Sequence, residues 1–273
     1  FNRDSITLFS LCGSATMKNS MAQSKKEATT TSLASKKVLI IVPAYNEEKN
    51  IAATIEEVYA QQLSVSIVVV NDGSCDQTSL KANARGVHVI DLPFNLGIGG
   101  AVQTGFKFAL DHQFDMAVQV DGDTQHDVSY LPALLDPLVK DQVDMTIGSR
   151  FLPPYLGYRS SFIRRIGIHF FARLISMITT YTVTDPTSGF RAYNQRMIHL
   201  FARYYPHDFP EPEAIAVAAR YKARVKEVPV KMRKRPSGIS SIRYLRTLYY
   251  MIKVTFAILL DKLKTKDKIV HYG

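Results

Sequence analysis

Cysteine is scarce in this chain. Cys12 and Cys75 are the only two among 273 residues, too few for a disulfide framework, and no Cys/His cluster has the spacing of a zinc site. A reducing compartment is the natural expectation. No run of 18 uncharged apolar residues occurs, so no transmembrane helix is predicted. The short apolar run from Ile6 to Cys12 has no basic region before it, which argues against a signal peptide and makes Met17 or Met21 a candidate start. A basic footprint across the fold is missing too. The formal charge is +10, but residues 1–37 hold +4 and residues 231–273 hold +9, which leaves −3 for the body between them. A nucleic-acid binder carries its basic residues over a face of the fold, interleaved with aromatics. Here the basic charge sits towards the ends, which fits an anionic membrane surface or a phosphate-bearing acceptor and no nucleic-acid partner.

What the chain does have is a 46% hydrophobic content, enough for a core, arranged in alternating segments. Residues 1–36 are rich in Ser, Thr, Ala and Lys and read as a disordered extension. Strand-like runs follow at 38–42, 66–70, 87–91, 116–120 and 143–147, with helical periods at 47–62, 98–111 and 128–140 between them. Such alternation predicts a parallel sheet with helices on both faces. Beyond 150 lie an amphipathic stretch over about 160–181, a strand at 224–230, and a second amphipathic helix at 240–264. The division expected is a catalytic domain over 37–238, with 160–181 as an amphipathic insertion. Residues 239–273 would form a membrane-surface helix and basic tail.

In such sheets ligands bind beyond the carboxyl ends of the strands, and polar residues follow these strands. Asp121, Asp123 and Gln125 place two carboxylates and an amide oxygen within five residues at one strand end. Hard divalent cations take oxygen ligands, and Mg²⁺ or Mn²⁺ commonly joins one or two carboxylates to substrate phosphates. Against a solvated acidic turn, the buried strand before the motif favours the metal reading. Asp72-Gly73-Ser74 can be turn chemistry alone, or a carboxylate accepting from a nucleobase or ribose. Asn95-Leu-Gly97-Ile-Gly99-Gly100 is neither a dinucleotide fingerprint nor a Walker loop. It reads as a tight turn packing a helix near the sheet. Glu211-Pro212-Glu213 can be an ordinary helix start, or it can supply Glu213 as a general base. Lys231 to Arg235, followed by Pro236-Ser-Gly-Ile-Ser240, gives a basic Gly/Ser loop suited to gripping phosphate.

These motifs, in order, resemble the family 2 glycosyltransferases, and within them the dolichol-phosphate mannosyltransferase-like branch. The carriers are Val42-Pro-Ala-Tyr-Asn-Glu-Glu48, Val70-Asn-Asp-Gly-Ser74, Asn95-Leu-Gly97, Asp121-Gly-Asp-Thr-Gln-His126, Gly148-Ser-Arg150, Asp185-Pro-Thr-Ser-Gly-Phe-Arg191, Glu211-Pro-Glu213 and Arg235-Pro-Ser-Gly-Ile-Ser240. The resemblance implies a GT-A-type α/β fold binding a nucleotide-diphosphate-sugar. Pro43, Tyr45, Glu47, Asp72 and Asp121 would hold the donor, and Asp121, Asp123 and Gln125 the metal. Arg150, Arg191, Arg235 and Ser240 would meet phosphate or acceptor, with Asp123, Glu213 and Arg150 catalytic. It also implies inverting transfer to a polyprenyl phosphate at the cytoplasmic membrane face by a peripherally bound enzyme. A small transmembrane subunit is a possible added anchor. One rival is a glycan-extending enzyme of cell-envelope or polysaccharide synthesis that uses Glu213 as base. Another is a catalytically inactive membrane-associated scaffold.

Overall fold

A computed structural model describes residues 35–153, 162–179 and 181–233, together with Leu33, Lys253, Thr255 and Phe256. Arg235, Ser240, most of the 240–264 helix and nearly all of the 1–36 extension lie outside the described residues.

The apolar runs become strands β1 (Val38–Ala44), β2 (Val65–Asn71), β3 (His88–Asp91), β4 (Met116–Gln119) and β5 (Met145–Ser149). The chain adds β6 (Arg191–Asn194) and β7 (Val225–Pro229). The seven strands stand in the order β3-β2-β1-β4-β6-β5-β7. β6 is antiparallel to both β4 and β5, and every other pairing is parallel. Every residue of β1, β4 and β5 is buried. That explains their unbroken apolar runs: a strand covered on both faces has no side to leave polar.

The helices are α1 (Ile51–Tyr59), α2 (Thr78–Asn83), α3 (Gly97–Asp111), α4 (Leu131–Val139), α5 (Phe162–Ile178), α6 (Gln195–Arg203) and α7 (Pro210–Arg220). They cover the two faces of the sheet. On one face Leu39, Ile41, Val68 and Val70 meet α3, α5, α6 and α7 in a core centred on Phe106, Tyr193 and Phe201. On the other, Ile40, Val42, Val69 and Val118 meet Ile51, Ile55 and Val58 of α1 and Leu131, Leu134 and Leu135 of α4. Alternation along each strand thus feeds two cores at once.

Three features differ from the sequence expectation. The 47–62 helix begins only at Ile51, because Asn50 and Ile51 fold back on the Glu47 carbonyl in a preceding turn. β6, α2 and α6 were not anticipated. β6 has four residues and begins on an arginine, so no apolar run marks it. The 160–181 helix forms as α5, but Ile168, Phe171, Ala172 and Ile175 are buried in the core of the first face. What it offers outward is Phe170 and Met177 beside His169 and Arg173. Among the described side chains of this helix, the apolar stripe is used by the protein.

Candidate active site

β3, β2, β1 and β4 end at the same edge of the sheet, and the motif residues follow those ends. Pro43 pairs with Val70 and Ala44 with Asn71 in the parallel ladder, and Val120 N–H donates to the Ile41 carbonyl at 3.0 Å. Tyr45, Asp72 and Asp121 therefore issue from three neighbouring strands, spanning about 10 Å at the usual strand spacing. Tyr45 stands exposed on this rim, whereas Glu47, Asp72 and Asp123 are buried beneath it. Asp72 accepts from the Leu96 N–H at 2.7 Å, and Glu47 accepts from the Asn50 side-chain amide at 2.7 Å. Both carboxylates thus hold loops in place beneath the rim.

The turn after β4 is braced from all sides. Asp123 Oδ1 accepts from the Gln125 N–H at 3.0 Å, closing an Asx turn in which Thr124 takes a positive φ of 62°. The Thr54 hydroxyl donates to the Gly122 carbonyl at 3.2 Å. His126, also buried, accepts from the Asp121 N–H through Nδ1 at 3.1 Å and brings Nε2 to 3.5 Å from Asp121 Oδ2. A neutral ring protonated on Nε2 satisfies both contacts. The ring stacks on Phe190 with centroids 4.9 Å apart. Behind it, His126 pairs antiparallel with Met232, and Arg233 N–H donates to the Gln125 carbonyl at 2.8 Å. The Arg233 guanidinium binds Glu57 at 2.7 Å and reaches Asp127 at 3.4 Å. On the inner side, a Cβ added to Gly189 would stand 3.2 Å from both Asp121 carboxylate oxygens. Glycine there lets the 185–190 loop approach the acidic turn.

Among the described residues no group of three His, Cys, Asp or Glu side chains could enclose a metal ion. Two carboxylates on a braced turn, Asp121 partly exposed and Asp123 buried below the rim, suit instead a hard cation shared with a ligand diphosphate. In that chemistry Asp121 and Asp123 are the fitting donors, and Gln125 is the third candidate.

The other predicted cations differ in placement. Arg150, after β5, is clamped by Asp185: Nε to Oδ2 at 2.6 Å, Nη2 to Oδ1 at 2.6 Å, with Thr187 Oγ1 at 2.9 Å. Asp185 is itself fixed because Glu227 accepts from its N–H at 2.8 Å. Burial pushes the Glu227 carboxyl up, against the pull of the Asp185 and Thr184 donors. Arg191 is fully buried beneath the same loop and donates to the Ser188 and Pro186 carbonyls at 2.6 and 2.9 Å. Its Nη1 has no hydrogen-bond partner among the described residues. The sequence reading put both arginines among the phosphate contacts. The structure shows both first as struts of the 185–191 loop.

Several residues of the site went unassigned in the sequence. Gln119, fully buried in β4, reaches from Asp121 Oδ1 at 3.5 Å to the Tyr205 hydroxyl at 3.4 Å. Glu211, at the start of α7, senses both Arg191 and Asp121. Burial raises its carboxyl, Arg191 draws it back, and the charge of Asp121 raises it again. Glu211 is thus an acidic residue within electrostatic reach of the Asp121 turn. The signal that could have found His126 was its place in a strand-end acidic motif. Nothing local marked Gln119.

The comparisons with known proteins agree with this geometry. The profile of glycosyl transferase family 2 matches residues 39–201. The chain is similar to the UDP-N-acetylglucosamine–dolichyl-phosphate N-acetylglucosaminyltransferase of Methanococcus voltae, at 28% identity over 73% of this chain and 86% of that one. It is similar to the undecaprenyl-phosphate mannosyltransferase of Micrococcus luteus, at 30% identity over 76% and 87%. In fold it matches glucosyl-3-phosphoglycerate synthase from Mycobacterium tuberculosis, solved with Mn²⁺, UDP and phosphoglyceric acid. The TM-score is 0.66 at 18% identity, covering 89% of this chain and 84% of that one.

Proposed function

The chain belongs to glycosyl transferase family 2 and is a nucleotide-sugar-dependent glycosyltransferase, and from that premise we propose that it transfers a sugar to a polyprenyl phosphate at the cytoplasmic face of a membrane. The observation that carries the reading is the braced turn at the end of β4, which sets Asp121 and Asp123 at the strand edge shared by Tyr45, Glu47 and Asp72. Pro43, Tyr45, Glu47 and Asp72 would line the nucleoside. Asp121 and Asp123, with Gln125, would hold Mg²⁺ or Mn²⁺. The cation supplies charge neutralisation for the leaving diphosphate. The fold neighbour holding Mn²⁺ and UDP supports this arrangement.

The acceptor reading is supported by relatives whose names carry dolichyl or undecaprenyl phosphate, and by charge. A phosphate monoester is ionised near neutral pH, its second pKa being about 6, so its oxygen attacks without a strong base. Attack on the anomeric carbon expels the nucleoside diphosphate, and a single displacement inverts that carbon. Arg235 and Ser240 are proposed for the acceptor phosphate. Arg150 is proposed for phosphate once a ligand competes with Asp185, and Arg191 as the cation beneath them. A catalytic domain over 37–238, followed by a membrane-surface helix and basic tail over 239–273, is the division we propose. No helix among the described residues is long and apolar enough to cross a membrane. Attachment by surface contacts, with a transmembrane subunit as a further anchor, is part of the proposal.

The test is a panel of nucleotide-sugars with polyprenyl phosphate and Mn²⁺ or Mg²⁺. Asp123→Ala should lower turnover about a thousandfold or more, the scale of several kcal/mol of charge stabilisation. Undiminished transfer by that variant in chelator would refute the metal mechanism.

A further inference from the structure

The loop after β3 and the first turn of α3 carry large apolar side chains into solvent. Phe94 is 64% exposed, Leu96 44% and Ile98 38%. No charged residue occurs from Leu92 to Phe106, so the segment loses little polar hydration on entering an apolar medium. We propose that Phe94, Leu96 and Ile98 form a membrane-contacting rim that docks on an anionic lipid surface beside the donor site. The proposal rests on the polyprenyl-phosphate reading, since an acceptor held in a bilayer requires the mouth of the site to face that bilayer.

Position supports it. β3 runs parallel to β2, so its following loop lies on the same edge as Asp72 and Tyr45. The Leu96 N–H is fixed to the Asp72 carboxylate at 2.7 Å. The apolar side chains are therefore presented on a backbone already ordered by the donor site, and docking need not order it again.

Charge supports the choice of occupant. A Cβ on Gly99 would lie 2.4 and 2.5 Å from the Pro206 and His207 carbonyl oxygens, so the start of α3 is pressed against that segment. The next residue, Asp208, binds Lys253 at 3.0 Å, and the Lys253 ammonium lies 5.2 Å from the centre of the Phe209 ring. Phe256, three residues on, is 61% exposed. The apolar stretch therefore lies towards Lys253 and Phe256, two described residues of the 231–273 stretch, whose sequence carries a formal charge of +9. Exposed apolar residues on a chain whose C-terminal stretch is strongly basic in sequence match a surface of anionic headgroups over acyl chains.

The chain contains no tryptophan, so Phe94→Trp makes a single-tryptophan reporter. With vesicles of phosphatidylcholine and phosphatidylglycerol its emission should move to the blue. Vesicles of phosphatidylcholine alone should produce a smaller shift. The Phe94→Ser/Ile98→Ser variant, with unchanged circular dichroism, should partition to the mixed vesicles about tenfold or more weakly, from the loss of two buried apolar side chains. Unmoved emission overturns the proposal, whether or not the protein sediments with vesicles. So does blue emission without vesicles. If that emission grows with protein concentration, a second copy covers the loop, and if it does not, the chain's own segments do. Transfer to polyprenyl phosphate in detergent is measured in parallel. Transfer with a silent tryptophan refutes only the rim, and a responsive tryptophan without transfer refutes only the acceptor.

Discussion

Asp121 has one carboxylate and three neighbours that shape it: His126, Gln119 and, through space, Glu211. Asp121 and Asp123 could be picked out in the sequence because an acidic pair beyond an apolar strand is unusual without a ligand. Their supports could not, because Gln119 looks like one polar residue in a strand and Glu211 like an ordinary acid at a helix start. The difference between Glu211 and Glu213 is testable. Removing the Glu211 charge weakens the negative field at Asp121. Glu211→Gln should therefore raise the metal concentration for half-maximal activity about threefold to tenfold, with kcat little changed. Glu213→Gln should keep turnover within about tenfold if the acceptor is a phosphate. A loss of about 10² to 10⁴, the usual worth of a general base, would favour the glycan-extending reaction instead. Metal titration of initial rates reads both.

Among the elements, β6 is the one whose existence depends on its neighbours. It is anchored at its end by Asp144, which precedes β5. The Asp144 carboxylate accepts from the Asn194 amide at 2.9 Å, from Arg196 at 3.0 Å and from the Arg224 N–H at 2.7 Å. Burial alone would raise this carboxyl, but the Arg224 and Asn194 donors hold it below the usual carboxylate range. A lowered folded pKa means that the ionised form is favoured by folding. Its stabilisation is present above the unfolded value of about 4 and is lost as pH falls through the folded value. Asp144→Asn should lower Tm at pH 7, and the gap from the parent should close under acid. Thermal melts across pH check this, and a gap that does not depend on pH would show that shape rather than charge holds the strand. Helix α6 owes its start to the same corner, since Asn194 caps it by accepting from the Met197 N–H at 3.1 Å. Asn194 is an N-cap residue type, but the strand before it gave no signal, so the cap was not read as one.

On the scale of the whole molecule, one sheet separates two cores, and the larger aromatic cluster joins distant parts of the chain. Phe106 of α3 lies 5.0 Å from Tyr193 of β6, 5.5 Å from Phe201 of α6 and 5.3 Å from Tyr205. Tyr205 in turn reaches Gln119 below the acidic turn. Phe106→Ala should cost about 3–5 kcal/mol, read by urea unfolding. Tyrosine fluorescence and far-ultraviolet circular dichroism should follow one transition. Separate transitions would mean that the α3, α6 and β6 side unfolds independently of the acidic turn.

The sequence alone determined the alternation of buried strands and helices, the carboxyl-edge placement of Asp72, Asp121 and Asp123, and the family. These follow from local periodicity and from ordered motifs, which neighbouring residues carry. Only the tertiary structure decided that a short antiparallel strand enters between β4 and β5. It alone turned the apolar stripe of α5 inward, made Arg150 and Arg191 struts of one loop, and brought Glu211 into the field of Asp121. Apart from Arg191, which bonds to Pro186 and Ser188 of its own loop, those outcomes depend on contacts between residues tens of positions apart in the chain, and no local pattern encodes which partner a buried charge or a four-residue strand will find.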